Sequence, residues 1–344
     1  MTHPLLNEVS NPPNPWRAAH SEWWWEPPPP VEPQVFEDHS KTILSRNDSP
    51  DLPFRWSLNP YRGCAHACAY CYARASHERW GFGAGTDFET QLMVKPRAPD
   101  LLREALTKPS WKGELVVVSG NTDCYQPLEV RWGLTRKCLE VFAEFRNPVG
   151  IITKSPLILR DLDVLKRLNR EAYVHVVVSL AFSDDRTARL VEPGAASVTR
   201  RLATIRALSE AGIFVTVSLA PVIPGLNDSM APEILKRAKE AGARSAFFGL
   251  LYLQDSVVPV FLERIRKEMP LAAGKIESFL RETRGGVLDE YRFGKRHEGS
   301  GNRWKMIERQ FGIWRRNLGL DQAHPFPPQP TFRRPGPKQE FFAF

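Results

Sequence analysis

Three cysteines in a short run are the feature of this chain that points most directly to chemistry. Cys64, Cys68 and Cys71 lie in the run Asn-Pro-Tyr-Arg-Gly-Cys-Ala-His-Ala-Cys-Ala-Tyr-Cys-Tyr (59–72), with the spacing C-x3-C-x2-C. A four-iron cluster ordinarily takes four protein thiolates. A loop that offers only three leaves one iron open, so that a small molecule can bind the metal directly. The spacing therefore predicts an enzyme whose cofactor chemistry begins at an open iron.

A zinc site is the alternative use of the same thiols, with Cys124 or His66 as a fourth ligand. Zinc motifs usually consist of two short ligand pairs that lie far apart in the sequence, whereas this chain has a single triplet. The corresponding alternative function is a zinc-stabilised nucleic-acid-binding module without catalysis. The fifth cysteine, Cys138, lies in a stretch of helical pattern and is interpreted as a core residue.

The triplet and four further motifs together resemble one enzyme family. C-x3-C-x2-C with an aromatic residue before the last Cys is similar to the signature of the radical S-adenosylmethionine (SAM) enzymes. The wider sequence, from about residue 49 to residue 320, resembles their spore photoproduct lyase-like branch, and within it a bacterial group of undetermined substrate. The matching motifs are Asn-Pro-Tyr-Arg-Gly-Cys (59–64), Asn-Thr-Asp (121–123), Gln-Pro-Leu-Glu (126–129) and Thr-Lys-Ser (153–155).

This resemblance implies a particular cofactor chemistry. Cys64, Cys68 and Cys71 would hold a [4Fe–4S] cluster, and the methionyl amino and carboxylate groups of SAM would bind its open iron. One electron, from a reductant such as flavodoxin or ferredoxin, would cleave SAM to a 5′-deoxyadenosyl radical that abstracts hydrogen from a substrate. Nucleic acid is the expected substrate, and a modified protein or a small molecule is the alternative.

The resemblance also assigns SAM contacts to eight residues: Tyr70, Tyr72, Ser119, Asn121, Thr122, Asp123, Lys154 and Ser179. Tyr70 and Tyr72 flank the last Cys and are expected near the adenine. The Thr122 hydroxyl and the Asp123 carboxylate can accept hydrogen bonds from the ammonium group, and Lys154 is expected at the carboxylate or the ribose. The alternatives are that the two rings only pack the loop, that 119–123 is a polar turn, and that Lys154 is solvated.

Two departures from the family pattern bear on the reaction. The lyase proper has a hydrogen-donor Cys where this chain has Gly120, and Cys124 is the candidate donor that remains nearby. An incidental buried cysteine is the alternative interpretation of Cys124. Relatives carry Arg-Leu-Pro where this chain has Tyr252-Leu253-Gln254, so a guanidinium that could contact substrate or ribose is missing there.

Strand and helix patterns alternate through the middle of the chain. Strands are predicted at 114–119, 149–153, 173–180, 214–220 and 244–251, and helices at 155–169, 199–211 and 231–241. Repeated units of this length predict an α/β fold with a parallel sheet, and the family resemblance implies a partial (βα)6 TIM-type barrel with N- and C-terminal extensions. Active residues of such folds follow the carboxyl ends of strands, which is where the motifs fall.

Length and composition set the organisation that we expect. The 344 residues include 30 prolines and five cysteines, with 42% hydrophobic and 25% charged residues. We expect a Pro/Trp-rich extended segment at 1–48, a core domain at 49–255, a helical basic region at 256–320 and a Pro-rich tail at 321–344. Few cysteines, no apparent signal peptide and no apolar run of about 18 residues predict a cytoplasmic protein without membrane association. We also expect a monomer.

The net charge of +8 favours acidic partners such as nucleic acid. Much of the excess lies between residues 295 and 316, which hold seven basic and two acidic residues. Trp304, Phe311 and Trp314 interleave with these charges, an arrangement that suits phosphate pairing and base stacking. The alternative is that Ile307, Phe311 and Trp314, which fall at helical spacing, form the core face of an amphipathic helix.

Overall fold

The computed structural model describes residues 11, 14, 32–290 and 292–336. Ten strands lie in these residues: β1 (Gln34–Glu37), β2 (Leu44–Arg46), β3 (Trp56–Leu58), β4 (Tyr61–Arg62), β5 (Gln91–Val94), β6 (Val116–Val118), β7 (Val149–Thr153), β8 (Val174–Ser179), β9 (Phe214–Val222) and β10 (Ser245–Leu250). The predicted segment 1–48 thus includes two strands, β1 and β2. Its tryptophans, Trp16 and the run from Trp23 to Trp25, lie outside the described residues.

Twelve α-helices accompany the strands within the described ranges: α1 (Arg74–His77), α2 (Thr86–Thr90), α3 (Ala98–Thr107), α4 (Leu128–Trp132), α5 (Leu134–Phe145), α6 (Leu162–Glu171), α7 (Asp185–Val191), α8 (Val198–Glu210), α9 (Ala231–Glu240), α10 (Val257–Glu268), α11 (Pro270–Thr283) and α12 (Gly301–Asn317). Short 3-10 helices lie at Glu78–Trp80, Pro156–Asp161 and Asp228–Met230. The predicted helix at 155–169 is therefore divided into a 3-10 turn, capped by Ser155, and α6.

The main sheet confirms the predicted α/β class. Its strand order is β10-β9-β8-β7-β6-β3-β2, and the six strands from β3 to β10 in this order pair in parallel, while β2 is antiparallel at the edge. Strands that follow one another along the chain are neighbours in the sheet, as in the partial (βα)6 barrel that the resemblance implied. All six parallel strands consequently end at the same edge.

Valine-rich strands and amphipathic helices form the core. The three valines of β6 are buried, as are Val174, Val176 and Val178 on β8. Because both faces of a parallel sheet are covered, such strands have apolar residues at consecutive positions and not only at alternate ones. Helix α5 adds Leu139, Phe142 and Phe145 to the same core. Cys138, also on α5, is fully buried there, as the sequence predicted.

A second, smaller sheet positions the cysteine loop. Its order is β1-β5-β4, with β1 parallel and β4 antiparallel to β5. Strand β4 begins three residues after the last residue of β3, and Cys64 follows β4 after Gly63. The chain therefore leaves the main sheet at the carboxyl end of β3, pairs with β5, and enters the cysteine loop.

The basic C-terminal segment is only partly exposed to solvent. Trp304, Ile307 and Phe311 of α12 are buried, and Phe311 and Trp304 stack on Phe248 of β10 with centroids 4.2 and 5.5 Å away. Trp314, by contrast, is 40% exposed. The interpretation of α12 as an amphipathic helix is thus correct, although Trp304 and not Trp314 belongs to its core face.

The tail after α12 packs at the amino end of the sheet. His324 stacks between Phe214 and Tyr173, with ring centroids 4.3 and 4.4 Å away, and Phe326 stacks on Tyr173 at 4.1 Å. Phe332 stacks on Phe145 of α5. These contacts lie at the opposite end of the strands from the cysteine loop. In the described part of the chain, no helix has the length and apolar character needed to cross a membrane.

Candidate functional site

The cysteine loop is a tight, buried turn. Cys64 and Cys68 are each 6% exposed and Cys71 is partly exposed, and all three are free thiols. The amides of Ala67 and Cys71 donate to the carbonyls of Cys64 and Cys68 at 3.2 Å, and Ala67 has a left-handed φ of 56°. The turn therefore brings the three thiols, which lie close together in the sequence, into one region of the structure.

Gln126 fixes the first half of this loop from the loop after β6. Its Oε1 accepts from the Ala65 amide at 3.1 Å, and its Nε2 donates to the Gly63 carbonyl at 3.0 Å. The side chain is fully buried, so water cannot replace these hydrogen bonds. The Gln-Pro-Leu-Glu motif thereby acts on the backbone that flanks Cys64.

Arg74 fixes the second half. Its Nε donates to the Cys68 carbonyl at 2.9 Å, and its Nη1 donates to the carbonyls of Ala84 and Gly85, also at 2.9 Å. Its Nη2 is paired with Glu89, and both side chains are fully buried. One planar guanidinium thus joins the cysteine loop to the segment before β5.

The loop after α7 presses against the cysteine loop. The Gly194 amide donates to the His66 carbonyl at 3.0 Å, and a Cβ placed on Gly194 would lie 2.0 Å from the Ala65 carbonyl oxygen. The preceding Glu192 accepts a hydrogen bond from the Tyr70 hydroxyl and pairs with Arg201 of α8 at 2.5 Å. Arg201 also donates to the Ser179 carbonyl at the end of β8, at 3.3 Å.

Asp123 joins the ends of two strands. Its Oδ1 accepts from the Thr153 hydroxyl at 2.8 Å and the Tyr125 amide at 2.9 Å, and its Oδ2 accepts from the Lys154 amide at 2.8 Å. His66 Nδ1 lies 3.4 Å from the same Oδ2. The carboxylate, which was predicted to meet a ligand, therefore already braces β7, the loop after β6 and the cysteine loop.

Lys154 brings a cation to the thiols. Its Nζ lies 5.8 Å from the centroid of the Tyr70 ring. Burial alone would lower the pKa of Lys154, but the nearby Cys68 and Glu192 outweigh it and hold the pKa above its ordinary value of 10.5. The ammonium group therefore stays charged beside Cys68 and can bind an anionic group there.

Ser119, Asn121 and Thr122 form the turn that follows β6. The Thr122 hydroxyl donates to the Tyr61 carbonyl at 2.9 Å, which leaves its oxygen lone pairs able to accept. The Asn59 side chain accepts from the Asn121 amide at 2.8 Å, and Asn121 Nδ2 donates to the Ser76 hydroxyl at 3.3 Å. Ser119 has a left-handed φ of 75° and accepts from the Cys124 amide.

Tyr72 contacts different residues from those that Tyr70 contacts. Its hydroxyl donates to the Gly120 carbonyl at 2.7 Å, and its ring stacks on Tyr252 with a centroid distance of 5.8 Å. The ring is 39% exposed. At the position where the family pattern has a guanidinium, the Tyr252 ring instead lies 5.6 Å from the guanidinium carbon of Arg296.

Cys124 lies on the loop after β6 and not in the cysteine loop. It is fully buried, its amide donates to the Ser119 hydroxyl at 2.8 Å, and its carbonyl accepts from the Thr135 hydroxyl at 2.7 Å. A side chain at Gly120 would meet the Cβ of Ser57 at 2.8 Å, so the position of the lyase's donor cysteine has no room for one here. The assignment of Cys124 as a hydrogen donor stays a prediction.

Several functional contacts were not predicted from the sequence. Glu192 and Arg201 lie far from the cysteines along the chain, and no motif marks either of them. Arg74 lies three residues after Cys71, and this helical spacing was a signal that could have identified it. Gln126 was named only as part of a motif, and its partners were not predicted.

The fold and the site now bear comparison with known proteins. The profile of the Radical SAM superfamily matches residues 58–246. This chain therefore belongs to the radical SAM superfamily. Members use a [4Fe–4S] cluster and SAM, and these are the cofactors of this chain.

Individual relatives agree with that family. The uncharacterized protein Rv2578c of Mycobacterium tuberculosis is 41% identical over 207 residues, which is 60% of this chain and 61% of that protein. The radical SAM Nalpha-GlyT isomerase of Pseudomonas phage M6 is 26% identical over 60% of this chain and 42% of its own length. The matched part of this chain thus covers 61% of the length of the first relative and 42% of the length of the second.

A solved structure shows the same fold. A mutant spore photoproduct lyase with bound AdoMet and dinucleoside spore photoproduct superposes with a TM-score of 0.59, at 16% identity, over 83% of this chain and 78% of that one. At this identity the similarity concerns the fold, and it agrees with the partial barrel described above.

The donor set fits a four-iron cluster better than a single ion. Burial and the neighbouring Asp123, Cys68 and Cys71 raise the pKa of the Cys64 thiol. Yet no three His, Cys, Asp or Glu side chains of the described residues converge as ligands of one metal ion. A zinc site requires such convergence, whereas in a cluster each thiolate binds a different iron.

Proposed function

We propose that this protein is a radical SAM enzyme that removes a hydrogen atom from a nucleic-acid substrate. The observation that carries the proposal is the set of three free thiols in one tight loop at the carboxyl end of a parallel sheet, two of them buried and the third, Cys71, partly exposed. Cys64, Cys68 and Cys71 would hold a [4Fe–4S] cluster, which would supply the electron for the reductive cleavage of SAM.

The residues around the thiols orient the cofactor and exclude water. Gln126, Arg74 and Gly194 hold the cysteine loop through its backbone, so the thiols keep their geometry before metal binds. Lys154 provides a half-buried cation near Cys68 for a carboxylate, and the Thr122 oxygen can accept from an ammonium group. These two groups suit the two ends of an amino acid, which is the methionyl part of SAM.

Tyr70 and Ser179 serve this arrangement through the Glu192–Arg201 pair. The Tyr70 hydroxyl and the Ser179 carbonyl both bond to that pair. We infer that Tyr70 presents the edge or face of its ring to the adenine while its hydroxyl stays anchored. Ser119 and Asn121 shape the turn that carries Thr122 and Asp123.

Charge and fold support nucleic acid as the substrate. The chain carries a net charge of +8, and Lys305, Arg309 and Arg316 are exposed on α12. The structural neighbour is described with a dinucleoside photoproduct bound. Because a side chain at Gly120 would meet Ser57, we infer that hydrogen is not returned to the substrate by a thiol at that position.

The remaining expectations about the whole protein are part of this proposal. It would work as a monomer in a reducing cytoplasm, with flavodoxin or ferredoxin as electron donor. The core domain would be 49–255, with the segment before it, the helical basic region 256–320 and the tail 321–344 attached to it.

Anaerobic turnover tests the proposal. Protein reconstituted with iron and sulfide should hold four irons per chain and form 5′-deoxyadenosine when SAM and dithionite are added. Cys68→Ser should remove both properties, whereas Cys138→Ser, a change in the core away from the loop, should retain the iron. Colourless protein with stoichiometric zinc, or 5′-deoxyadenosine formation that survives Cys68→Ser, would contradict it.

A further inference from the structure

One loop after α11 is tied to the end of β10 by a single side chain. Arg284 is 8% exposed, and its Nη2 donates to the carbonyls of Leu251 at 2.5 Å and Arg296 at 2.6 Å. Its Nη1 donates to the carbonyls of Glu298 at 2.9 Å and Lys295 at 3.3 Å. The loop 292–298 is thereby held at the carboxyl end of the sheet, the end that carries the cysteines.

The tied loop places a cation among aromatic rings. The guanidinium carbon of Arg296 lies 5.6 Å from the Tyr252 ring centroid and 4.8 Å from that of Phe293. The His297 ring packs edge-on against Tyr252 at 5.1 Å, and Tyr252 stacks on Tyr72. Since Tyr72 follows Cys71 directly, this aromatic–cationic cluster (Tyr72, Tyr252, Phe293, Arg296 and His297) borders the candidate cluster site.

Contacts from the other side fix Arg296. Its Nε lies 2.8 Å from Asp51, its Nη2 donates to the Ser49 hydroxyl at 2.7 Å, and the Gly294 amide donates to Asp51 at 2.8 Å. Arg296 thus lies between the rings of Tyr252 and Phe293, and Asp51 compensates its charge. The exposed charged side chains of the loop are Arg292, Lys295 and Glu298, and Arg292 is paired with Glu290 at 2.5 Å.

The exposed groups of this surface include two aromatic residues and a lysine. Phe293 is 61% exposed and Tyr72 is 39% exposed, and Lys295, also exposed, lies two residues from Phe293. A nucleobase stacks on such rings, and its phosphate pairs with a neighbouring lysine.

We propose that this aromatic–cationic cluster is the substrate-binding surface, that it takes an unpaired nucleobase of single-stranded nucleic acid, and that Arg284 is the residue that positions it. This inference rests on the proposed function, whose substrate class it makes specific. Phe293 supplies the exposed stacking face, Lys295 contacts the adjacent phosphate, and Tyr72 marks the side of the surface nearest the thiols.

Binding of two matched probes tests the inference. The probes are a fluorescein-labelled oligonucleotide of ten thymidines and an abasic oligonucleotide of equal length, which carries the same phosphates without bases. Full-length reconstituted protein should bind the thymidine probe about tenfold more tightly than the abasic one, the ratio expected of one stacked base. Phe293→Ala should weaken only thymidine binding, by about tenfold, whereas Lys295→Ala should weaken both probes equally.

Two further variants make the outcome decisive. Phe326→Ala removes an exposed phenylalanine at the opposite end of the sheet and should change neither affinity. Arg284→Lys keeps the charge but not the fork of donors, and it should reduce the preference for thymidine over abasic probe to that of Phe293→Ala. A merely structural Arg284 would weaken both probes and leave their ratio unchanged.

The outcomes separate this inference from the proposed function. If Phe293→Ala leaves thymidine binding unchanged, or weakens both probes equally, the surface does not bind a base and the inference is overturned. Formation of 5′-deoxyadenosine by the wild-type protein without oligonucleotide tests the proposed function by itself. A protein that forms 5′-deoxyadenosine but shows no preference between the probes would refute only the inference.

Discussion

The hydroxyl of Tyr70, the residue before Cys71, donates a hydrogen bond to the carboxylate of Glu192 on the loop after α7. Glu192 and its partner Arg201 are each 1% exposed. Burial would raise the pKa of Glu192, but Arg201 and Lys154 hold it below its ordinary value of 4.5. The carboxylate is therefore charged at neutral pH, and the cysteine loop is joined through it to α8.

Glu192→Gln should be strongly destabilising. The amide keeps the shape of the side chain but leaves the buried charge of Arg201 uncompensated, which costs about 3–5 kcal/mol. Glu233→Gln is the matched control, because Glu233 is 60% exposed and its pair with Arg237 is worth at most about 1 kcal/mol. Urea unfolding at pH 7 measures both, and equal small losses would mean that the buried pair does not support the loop.

Gly194→Ala should impair iron binding. The new methyl group would lie 2.0 Å from the Ala65 carbonyl oxygen, so the cysteine loop has to move. Gly274→Ala is the control, since a Cβ there meets nothing within 4 Å and alanine is about 1 kcal/mol better than glycine inside a helix. We expect fewer irons per chain and a lower melting temperature for Gly194→Ala, and full loading with unchanged or raised stability for Gly274→Ala.

Gln126→Leu should loosen the loop around Cys64. It leaves the Ala65 amide and the Gly63 carbonyl without their buried partners, at a cost of about 1–3 kcal/mol for each unsatisfied group. Gln310→Leu changes an exposed glutamine of α12 and should have little effect. Iron content after reconstitution, together with the free energy of unfolding, checks both variants. Wild-type values for Gln126→Leu would show that the loop holds its shape without this side chain.

His77 should make the protein less stable in mild acid. Its ring stacks on Phe82 at 5.1 Å, and burial lowers its pKa from 6.5 to about 4. The unfolded chain therefore takes up a proton first as the pH falls from about 6.5 towards 4, and stability that is fully present above pH 6.5 is lost in that window.

His77→Phe should remove this part of the pH dependence. Between pH 7 and pH 5 the wild-type protein should lose about 2 kcal/mol more than the variant, as a shift of this size implies. His39→Phe changes an exposed histidine and should retain the wild-type dependence. Urea unfolding at both pH values measures the difference, and parallel curves for His77→Phe and the wild type would show that His77 does not titrate in this way.

The sequence predicted those parts of the fold that depend on local pattern. The strands at 149–153, 173–180 and 214–220 match β7, β8 and β9 closely, because β-branched runs between turn residues are a local signal. The motifs were expected at one edge of the sheet because parallel strands all have their carboxyl ends at the same edge. The fold class could therefore be stated before the structure, whereas the cofactors were implied by the resemblance of the cysteine motif to a known family.

Contacts between distant segments could not be predicted in the same way. Tyr70 and Glu192 are 122 residues apart, and Arg284 reaches a carbonyl 33 residues away. A single charged side chain in a sequence has no periodicity, so nothing in the pattern names its partner. The burial of Trp304 in place of Trp314 has a similar cause, since both fall at helical spacing and only packing on Phe248 distinguishes them.

One spectroscopic measurement tests the central claim, that three thiolates leave one iron open to SAM. The electron paramagnetic resonance spectrum of the dithionite-reduced protein should be that of a reduced four-iron cluster, and its g values should change when SAM is added. A SAM-independent spectrum from a fully loaded cluster would mean that a fourth protein ligand closes the vacant position, and it would contradict the account.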